Sequence, residues 1–186
     1  MEAIKTYHKV NREDHNKRFG LSKMEAIYDK RKGEVDEPHR HDFFTVILVE
    51  RAKGIHNIDF KEYPLLGSEV FFISPGQVHQ IIEHEKSFGY SIVFSNDFLI
   101  ENNIPRDFID DLNLFQDYGV SPSIKLDQTQ FNALANYCNA IQQELVHCLL
   151  YTSDAADDSL RVDLGGRRII KKGPDVYPDD LLSPDG

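Results

Sequence analysis

Between Lys23 and Ser95 the chain consists of short runs rich in β-branched and aromatic residues, and this pattern constrains the fold more than any other feature. Turn-forming residues such as Ser74-Pro75-Gly76 separate the runs. Strands at intervals of roughly 8–12 residues are typical of a β-sandwich or barrel rather than of βαβ units. The pattern therefore predicts a β-barrel over 23–95 that follows an N-terminal extension over 1–22. The predicted strands are 24–28, 43–49, 55–60, 70–74, 78–83 and 90–94.

Beyond residue 95 the sequence pattern changes from β to α. Asn96 and Asp97 can cap a short helix that ends near Ile100. An acidic amphipathic stretch follows over 106–117 and predicts a second helix. We expect the helices of this segment, 96–147, to pack on the outside of the barrel.

The strongest helical pattern covers 127–146. Asp127 can accept hydrogen bonds from free backbone N–H groups, and Gln130 stands three residues later, as in a capping box. Because only two heptads of an apolar stripe follow, the stripe can either pair with a second copy of the helix or dock on the barrel. We expect a dimerisation helix and a homodimer. The stripe has the alternating spacing of a coiled-coil seam and consists of Phe131, Leu134, Cys138, Ile141 and Leu145.

From Cys148 onward neither helical nor strand periodicity continues in the sequence. The stretch 148–158 resembles the conceptual translation of a transposase-type sequencing adapter, and 162–170 resembles the translation of the flow-cell end of the same adapter design. The two resemblances occur in one reading frame and in the expected order. We therefore expect 148–186 to be a disordered, non-native tail that interrupts the natural gene near His147.

Charge and composition exclude several classes of protein. A formal charge of −10 argues against direct DNA binding, because DNA-binding surfaces carry an excess of Lys and Arg. No apolar run approaches the roughly 20 residues that cross a bilayer, and the N-terminus lacks a secretory apolar segment. Cys138 and Cys148 are too few for a disulfide framework or a cysteine-rich zinc site. We expect a cytoplasmic protein without a membrane partner, in which both cysteines are ordinary thiols.

Histidines mark the β region as the candidate binding site. His39 and His41 precede a strand, and strand alternation places both imidazoles on one face. His79 follows a tight turn, and His56 lies in another strand. If the inward faces of these strands converge, apolar walls and a few polar groups would enclose a small molecule. The candidate residues on these faces are His39, His41, Phe43, Thr45, His56 and His79.

The segments 38–49, 54–63 and 71–79 resemble the cupin-type N-terminal sensor domain of AraC-family transcription regulators. The most specific motifs are PHRHDFF and FFISPGQVH, and the resemblance covers about 24–146. It implies a double-stranded β-helix, or jelly-roll, barrel followed by helices, of which the last serves dimerisation. It also implies that these candidate residues and Tyr90 bind a small-molecule effector, with Phe43 or Tyr90 as an aromatic wall, and that there is no catalysis. DNA binding would come from a C-terminal domain of two helix-turn-helix units, which we do not find in this sequence.

The alternative function is a metal-dependent cupin enzyme, an isomerase or oxygenase. His39, His41 and His79 would then supply nitrogen ligands to a transition metal. Catalytic cupins also place a Glu a few positions after the second histidine, where this chain has Thr45 and Val46. Because that carboxylate is missing, we expect a binding domain without a metal or another cofactor.

Overall fold

The computed structural model describes residues 4–8, 10, 18–115 and 123–159, with side chains through Val146. The described residues form one mixed sheet of eight strands and four helices, which confirms the expected mainly β fold of the cupin type. The strands are β1 (Lys5–Tyr7), β2 (Phe19–Lys23), β3 (His39–His41), β4 (Phe44–Ile58), β5 (Lys61–Leu65), β6 (Glu69–Ile73), β7 (Val78–Phe94) and β8 (Ser123–Lys125). The helices are α1 (Met24–Lys30), α2 (Asn96–Glu101), α3 (Arg106–Asp111) and α4 (Gln128–Ser159).

Two long antiparallel strands, β4 and β7, run through both halves of the sheet. In the first half, 44–49 of β4 pairs with 89–94 of β7, and β2, β6 and β8 extend this part. In the second half, 54–58 pairs with 79–83, and β1, β3 and β5 extend it. Register shifts between Val49 and Gly54 connect the two halves. The sequence predicts separate strands here, whereas the structure has two continuous ones.

Glycine permits this continuity where the backbones of β4 and β7 approach each other. A Cβ atom at Gly54 would lie 2.1 Å from the carbonyl oxygen of Ile82, and one at Gly89 would lie 2.1 Å from that of Leu48. Gly89 also has a φ of +143°, which side-chain-bearing residues rarely adopt. Gly54 lies in the predicted gap between the strands 43–49 and 55–60, where it allows one bent strand to stay paired instead.

The main apolar core lies between the two halves of the sheet. Ile47 and Phe71 come from the first half and pack in one cluster with Ile58 and Leu65 from the second. Met24 of α1 belongs to the same cluster. All five side chains are buried. The inward faces of the two halves therefore face each other, as expected for a cupin-like barrel.

Helix α4 covers the outward face of the first half. Phe131 and Cys138 are buried there against Leu48, Val70 and Tyr90. The docking alternative therefore holds for part of the predicted seam, since an apolar strand face needs a cover to leave water. Burial raises the pKa of the Cys138 thiol, in keeping with an unreactive cysteine.

The start of α4 confirms the predicted capping box. The Gln130 backbone N–H donates to Asp127 Oδ1 over 2.8 Å, and the Asp127 backbone N–H donates to Gln130 Oε1 over 2.9 Å. The helix continues to Ser159, beyond the expected end near residue 146. Residues 148–159 are thus helical rather than disordered, whereas 160–186 of the predicted tail lie outside the described residues.

The segment predicted as a strand over 24–28 is instead helix α1. Met, Glu and Ala favour helices, and Glu25 and Lys30 stand at the helix ends where their charges complement the helix dipole. The short run is too brief for periodicity to distinguish strand from helix. The predicted N-terminal extension also contributes β1 and β2 to the sheet.

Helices α2 and α3 occupy the segment predicted to be helical after residue 95. Ser95, rather than Asn96 or Asp97, caps α2, because its Oγ accepts a hydrogen bond from the Phe98 backbone N–H. Leu99 of α2 and Ile109 of α3 pack on Phe44. Helix α3 ends at Asp111, and 116–117 of the predicted helix lie outside the described residues.

Contacts along the chain divide it into one unit over 1–144 and a second over 145–186. The sheet and helices α1 to α3 belong to the first unit. Within the described residues, no helix combines the length and the apolar character needed to cross a bilayer.

Candidate functional site: a histidine-walled cavity

A cavity of about 620 Å³ opens on the inward faces of the sheet beside α1. Its volume lies in the range of small-molecule sites, which is roughly 300–1,000 Å³. Strands β3, β4 and β7 supply half of the lining residues, and α1 with Arg31 supplies several more. Tyr7 of β1 and Ser22 of β2 also contribute. The site therefore depends on elements that are far apart in the sequence.

Three imidazoles form one wall of the cavity. His39 and His41 are two positions apart on β3, and His39 is the cross-strand partner of His79 on β7. One nitrogen of each ring lies within 4.8 Å of the corresponding atoms of the others. His39 Nε2 and His41 Nε2 are 3.1 Å apart. The register of β3 on β7 thus brings together histidines that are far apart in the sequence.

His39 is oriented by the backbone beside it. Its Nδ1 lies 2.7 Å from the Glu37 carbonyl oxygen, which can only accept a hydrogen bond, so Nδ1 carries the proton. In the neutral ring, Nε2 then presents a lone pair to His41. The side chain is only 5 % exposed, which restricts it to this orientation.

His56 lies behind His79 rather than on the cavity surface. His56 Nε2 is 3.2 Å from His79 Nδ1, and the His56 ring packs at 4.7 Å on the ring of Phe71. Burial, reinforced by the neighbouring His39, lowers the pKa of His56 to about 3. Burial also lowers the pKa of His79 well below 6.5, with His56, His39 and His41 adding to the effect. Both rings are therefore neutral near pH 7.

The guanidinium group of Arg31 also lines the cavity. Arg31, directly after α1, donates from Nη2 to Glu83 Oε2 over 2.7 Å and lies 3.2 Å from Asp36 Oδ2 through Nη1. The Nε atom of Arg31 is buried and has no hydrogen-bond partner among the described residues. This guanidinium thus keeps hydrogen-bonding capacity although two carboxylates balance its charge.

Apolar side chains and hydroxyl groups complete the wall. The Phe43 ring lies 4.4 Å from the His41 ring, and Ile47 and Ile81 lie farther along the same inward faces. The Thr45 hydroxyl is buried and has no hydrogen-bond partner among the described residues. An occupant with both apolar and hydroxyl or oxyanion groups would match this mixture.

Most of the predicted site residues line the cavity, and two do not. His39, His41, Phe43, Thr45 and His79 contribute to its surface. His56 contacts the cavity only through His79, as described above. Tyr90 faces the other side of the sheet, where its hydroxyl donates to Asn139 Oδ1 of α4 over 2.8 Å. Its predicted role as an aromatic wall is therefore not supported by its position.

Several cavity residues were not predicted from the sequence, although the alternation of β7 indicates some of them. Side chains alternate along β7, so the face of His79 continues through Ile81 and Glu83 to Ser91 and Val93. The same alternation places Tyr90 on the opposite face of β7, away from the cavity. Arg31 and Asp36 had no such signal, because they follow a helix that we interpreted as a strand.

Only part of the predicted apolar stripe on α4 packs against the sheet. Phe131 and Cys138 are buried against the sheet, whereas Leu134 is 38 % exposed. Ile141 is half-buried, and Leu145 belongs to the second unit of the chain. Leu134 and Ile141 flank the docked side chains on the same side of the helix, because they are seven residues apart.

Comparison with known proteins connects this cavity to one family. A family model described as the AraC-like ligand binding domain matches residues 23–104. No curated protein matches the chain. The matched range contains all three histidines of the wall, Arg31 and both long strands. The match and the cupin-type fold together show that residues 23–104 are similar to an AraC-like ligand binding domain.

Proposed function

We propose that this domain is part of a cytoplasmic transcription regulator and binds a small polar effector in the cavity. Effector binding would change the activity of that regulator. The observation that carries the proposal is the cavity itself, in which buried imidazole, hydroxyl and guanidinium groups lie beside apolar side chains. Buried polar groups without partners cost free energy, and a bound ligand can satisfy them. The family match supports the same function.

The effector class follows from the groups on the wall. Thr45 and the histidines can exchange hydrogen bonds with hydroxyl groups, while Phe43 packs on an apolar face. Arg31 can donate to a hydroxyl or carboxylate oxygen in addition to its two acidic partners. Sugars, polyols and hydroxy acids present such groups. We therefore propose an effector from these classes.

Thr45→Val tests the site with little risk to the fold. The change keeps the side-chain shape and removes a buried hydroxyl that lacks a partner among the described residues. A panel of monosaccharides, polyols and hydroxy acids is first screened by thermal shift, and calorimetry then gives the affinity of the compound that stabilises the protein. We expect Thr45→Val to weaken that affinity about tenfold, which corresponds to about 1.4 kcal/mol for a lost hydrogen bond.

Ser87→Ala is the matched control. Ser87 is also buried and also has an Oγ atom without a partner among the described residues, but it does not line the cavity. It should leave the affinity unchanged. If no compound of the panel binds, or if both variants bind it as tightly as the original protein does, the proposed site is wrong.

We also propose that two copies pair through α4. Supporting this, Leu134 and Tyr137 are exposed by 38 % and 69 %, and the half-buried Ile141 is close to them on the helix. Homodimers with two-fold symmetry are common among soluble proteins. In the complete regulator, DNA contact would come from a C-terminal domain, and ligand binding would change how a dimer presents that domain.

The double substitution Leu134→Asp with Ile141→Asp tests the dimer. If the flank formed by Leu134, Tyr137 and Ile141 is the interface, the double variant should sediment as a folded monomer and keep its effector affinity. A matched control, Asn132→Asp with Asn136→Asp, adds the same charges at exposed positions of the helix. A monomeric original protein at high concentration would contradict the proposal.

The second candidate function is metal-dependent catalysis. One observation favours it, namely the convergence of His39, His41 and His79. Two carboxylates reach the cavity, Asp36 and Glu83. Both are engaged with Arg31, and Asp36 Oδ1 also lies 3.8 Å from His39 Nδ1. Conversion of a panel compound into product, abolished in a His79→Ala variant, would favour the enzyme over the sensor.

A further inference from the structure

We propose that the outward side of the sheet carries a second ligand site, which binds a free amino acid with an apolar side chain. The site is a cavity of about 380 Å³ at the bend of β4 and β7, beside the start of α4. Its volume lies within the range of small-molecule sites, which is roughly 300–1,000 Å³. The two cavities share no lining residue, so the second site does not depend on the effector cavity. The second cavity is lined by Glu50, Arg51, Ser68, Phe88, Gln128 and Phe131.

Backbone contacts hold the walls of this second cavity in place. The Ser68 N–H donates to the Glu50 carbonyl oxygen over 3.3 Å, and the Leu126 N–H donates to the Ser68 carbonyl oxygen over 2.8 Å. Ser68 thus ties β4 to the segment that leads into α4. The buried Glu69 carboxylate secures the same turn, because its Oε1 accepts a hydrogen bond from the Leu66 N–H over 3.1 Å. The opening between the sheet and the helix start is therefore a fixed feature of the fold.

Arg51 is the candidate anchor for the ligand carboxylate. Arg51 and Phe88 are cross-strand partners, and the guanidinium carbon lies 4.4 Å from the centre of the Phe88 ring. A guanidinium that stacks on an aromatic ring keeps its N–H groups free at its edge, where two of them match the two oxygens of a carboxylate. The nearby Glu85 is paired with Lys53 over 2.9 Å. Among the described residues, Arg51 therefore has no ion-pair partner of its own.

Glu50 is the candidate partner for the ligand ammonium group. It precedes Arg51 in the chain and lines the same cavity. Its side chain is exposed and forms no ion pair with another described residue. A site with one carboxylate and one guanidinium is complementary to a ligand with one ammonium and one carboxylate group. Free amino acids have this pair of charges.

Aromatic rings supply the apolar part of the cavity. Phe131 is 4 % exposed, and Phe88 is half-buried beside the Arg51 guanidinium. Such rings can remove an apolar ligand side chain from water. Ser68 and Gln128 add a hydroxyl and an amide group to the wall, and neither carries a charge. Leucine and phenylalanine therefore fit better than acidic or basic amino acids, whose extra charge would have no partner.

The N-terminus of α4 is not the anchor for the ligand carboxylate. Asp127 stands there, and its Oδ1 accepts a hydrogen bond from the Gln130 N–H over 2.8 Å. A second carboxylate at this position would meet a group of the same charge. The ligand carboxylate is therefore assigned to Arg51.

Binding of L-leucine tests the inference, with L-phenylalanine as a second probe. The full chain is titrated with each probe by calorimetry. We expect one bound molecule per chain with a dissociation constant below about 1 mM. Arg51→Met should weaken the binding about tenfold or more, because it removes a bidentate charge-assisted contact and keeps a long side chain. Lys61→Met is the matched control, because Lys61 is an exposed strand residue outside the cavity, and it should keep the affinity.

Two analogues of leucine assign the charged groups. 4-Methylpentanoate lacks the ammonium group, and leucinamide lacks the carboxylate. Glu50→Gln should weaken leucine binding about fivefold, less than Arg51→Met does, because a single contact to an exposed charge is screened by water. It should not weaken binding of 4-methylpentanoate. Arg51→Met should likewise not weaken binding of leucinamide. Glu62→Gln, at an exposed position of β5, is the control for Glu50 and should bind all compounds as the original protein does.

The position of the bound leucine is checked with Thr45→Val in the effector cavity, which should leave leucine binding unchanged. Circular dichroism checks that each variant is folded, and Glu50→Gln still tests the site if Arg51→Met does not fold. Three results would overturn the inference: neither probe binds, Arg51→Met binds leucine as tightly as Lys61→Met, or Thr45→Val loses leucine binding. The proposed sensor function is tested separately, by the panel of sugars, polyols and hydroxy acids.

Discussion

The two faces of β4 and β7 differ in whether their side chains find packing or hydrogen-bond partners within the chain. On the outward face, Leu48 and Tyr90 pack under α4, so the chain itself supplies their partners. On the inward face, Thr45 and His79 border a cavity, and each has a buried polar atom without a partner among the described residues. Because alternate residues of one strand point to opposite faces, the same strand can build a stable core contact and an unfilled site. Substitutions of these outward-facing residues should therefore change stability, whereas substitutions on the inward face should change ligand binding.

The largest expected effect is on the outward face. Phe131→Ala should lower the free energy of unfolding by about 3–5 kcal/mol, because it removes a ring that is buried between α4 and the sheet. Urea denaturation followed by circular dichroism measures the change. Asn136→Ala, at an exposed position of the same helix, should cost no more than about 0.5 kcal/mol. Similar losses in both variants would mean that α4 does not dock through Phe131.

A pH-dependent effect is expected on the inward face. Free histidine takes up a proton near pH 6.5, whereas burial holds the pKa of His56 at about 3. Below about pH 6.5 the unfolded chain therefore binds more protons than the folded one, so the free energy of unfolding falls as the pH falls towards 3. One such group changes the slope by about 1.4 kcal/mol per pH unit.

The variant His56→Asn should reduce that slope by about 1.4 kcal/mol per pH unit between about pH 6 and 5. In that range His56 is protonated in the unfolded chain and neutral in the folded one. Denaturation curves at each pH give the slope. His84→Asn should retain the full slope, because that side chain is exposed. An unchanged slope in His56→Asn would show that His56 is not held neutral by burial.

The smallest expected effects come from removing one hydroxyl group on each of the two faces. Tyr90→Phe should destabilise the protein by about 1 kcal/mol, because it leaves Asn139 Oδ1 without its donor. It should not change effector affinity. Thr45→Val should be neutral or slightly stabilising, since it removes an unsatisfied hydroxyl. Loss of effector affinity in Tyr90→Phe would return Tyr90 to the binding site and contradict the separation of the faces.

Local patterns were enough to predict several features. Strand alternation predicted that His39 and His41 share a face, and both line the cavity. The pairing of Asp127 with Gln130 predicted the start of α4. These features depend on neighbours within about four residues, for which backbone geometry alone sets the relative directions of side chains.

Other features had no adequate local signal. The run 24–28 has an apolar composition that fits a strand or a helix, and only its packing of Met24 into the core identifies it as α1. The predicted strand 55–60 includes Phe60, yet that side chain is 88 % exposed in a turn with a φ of +66°. The alternation that holds from His56 to Ile58 ends where the chain reverses into β5.

By itself the sequence determined the mainly β fold, the shared face of the histidine pair and the cap of α4, because strand alternation and helix capping act within a few residues. Only the tertiary structure decided that His79 meets His39, that Arg31 reaches the cavity, and that Tyr90 belongs to the helix-covered face. Those outcomes depend on the register between β3 and β7 and on which face of the sheet α4 covers. Both are set by contacts between residues far apart in the chain, where the free energy of packing, and not local backbone preference, selects the arrangement.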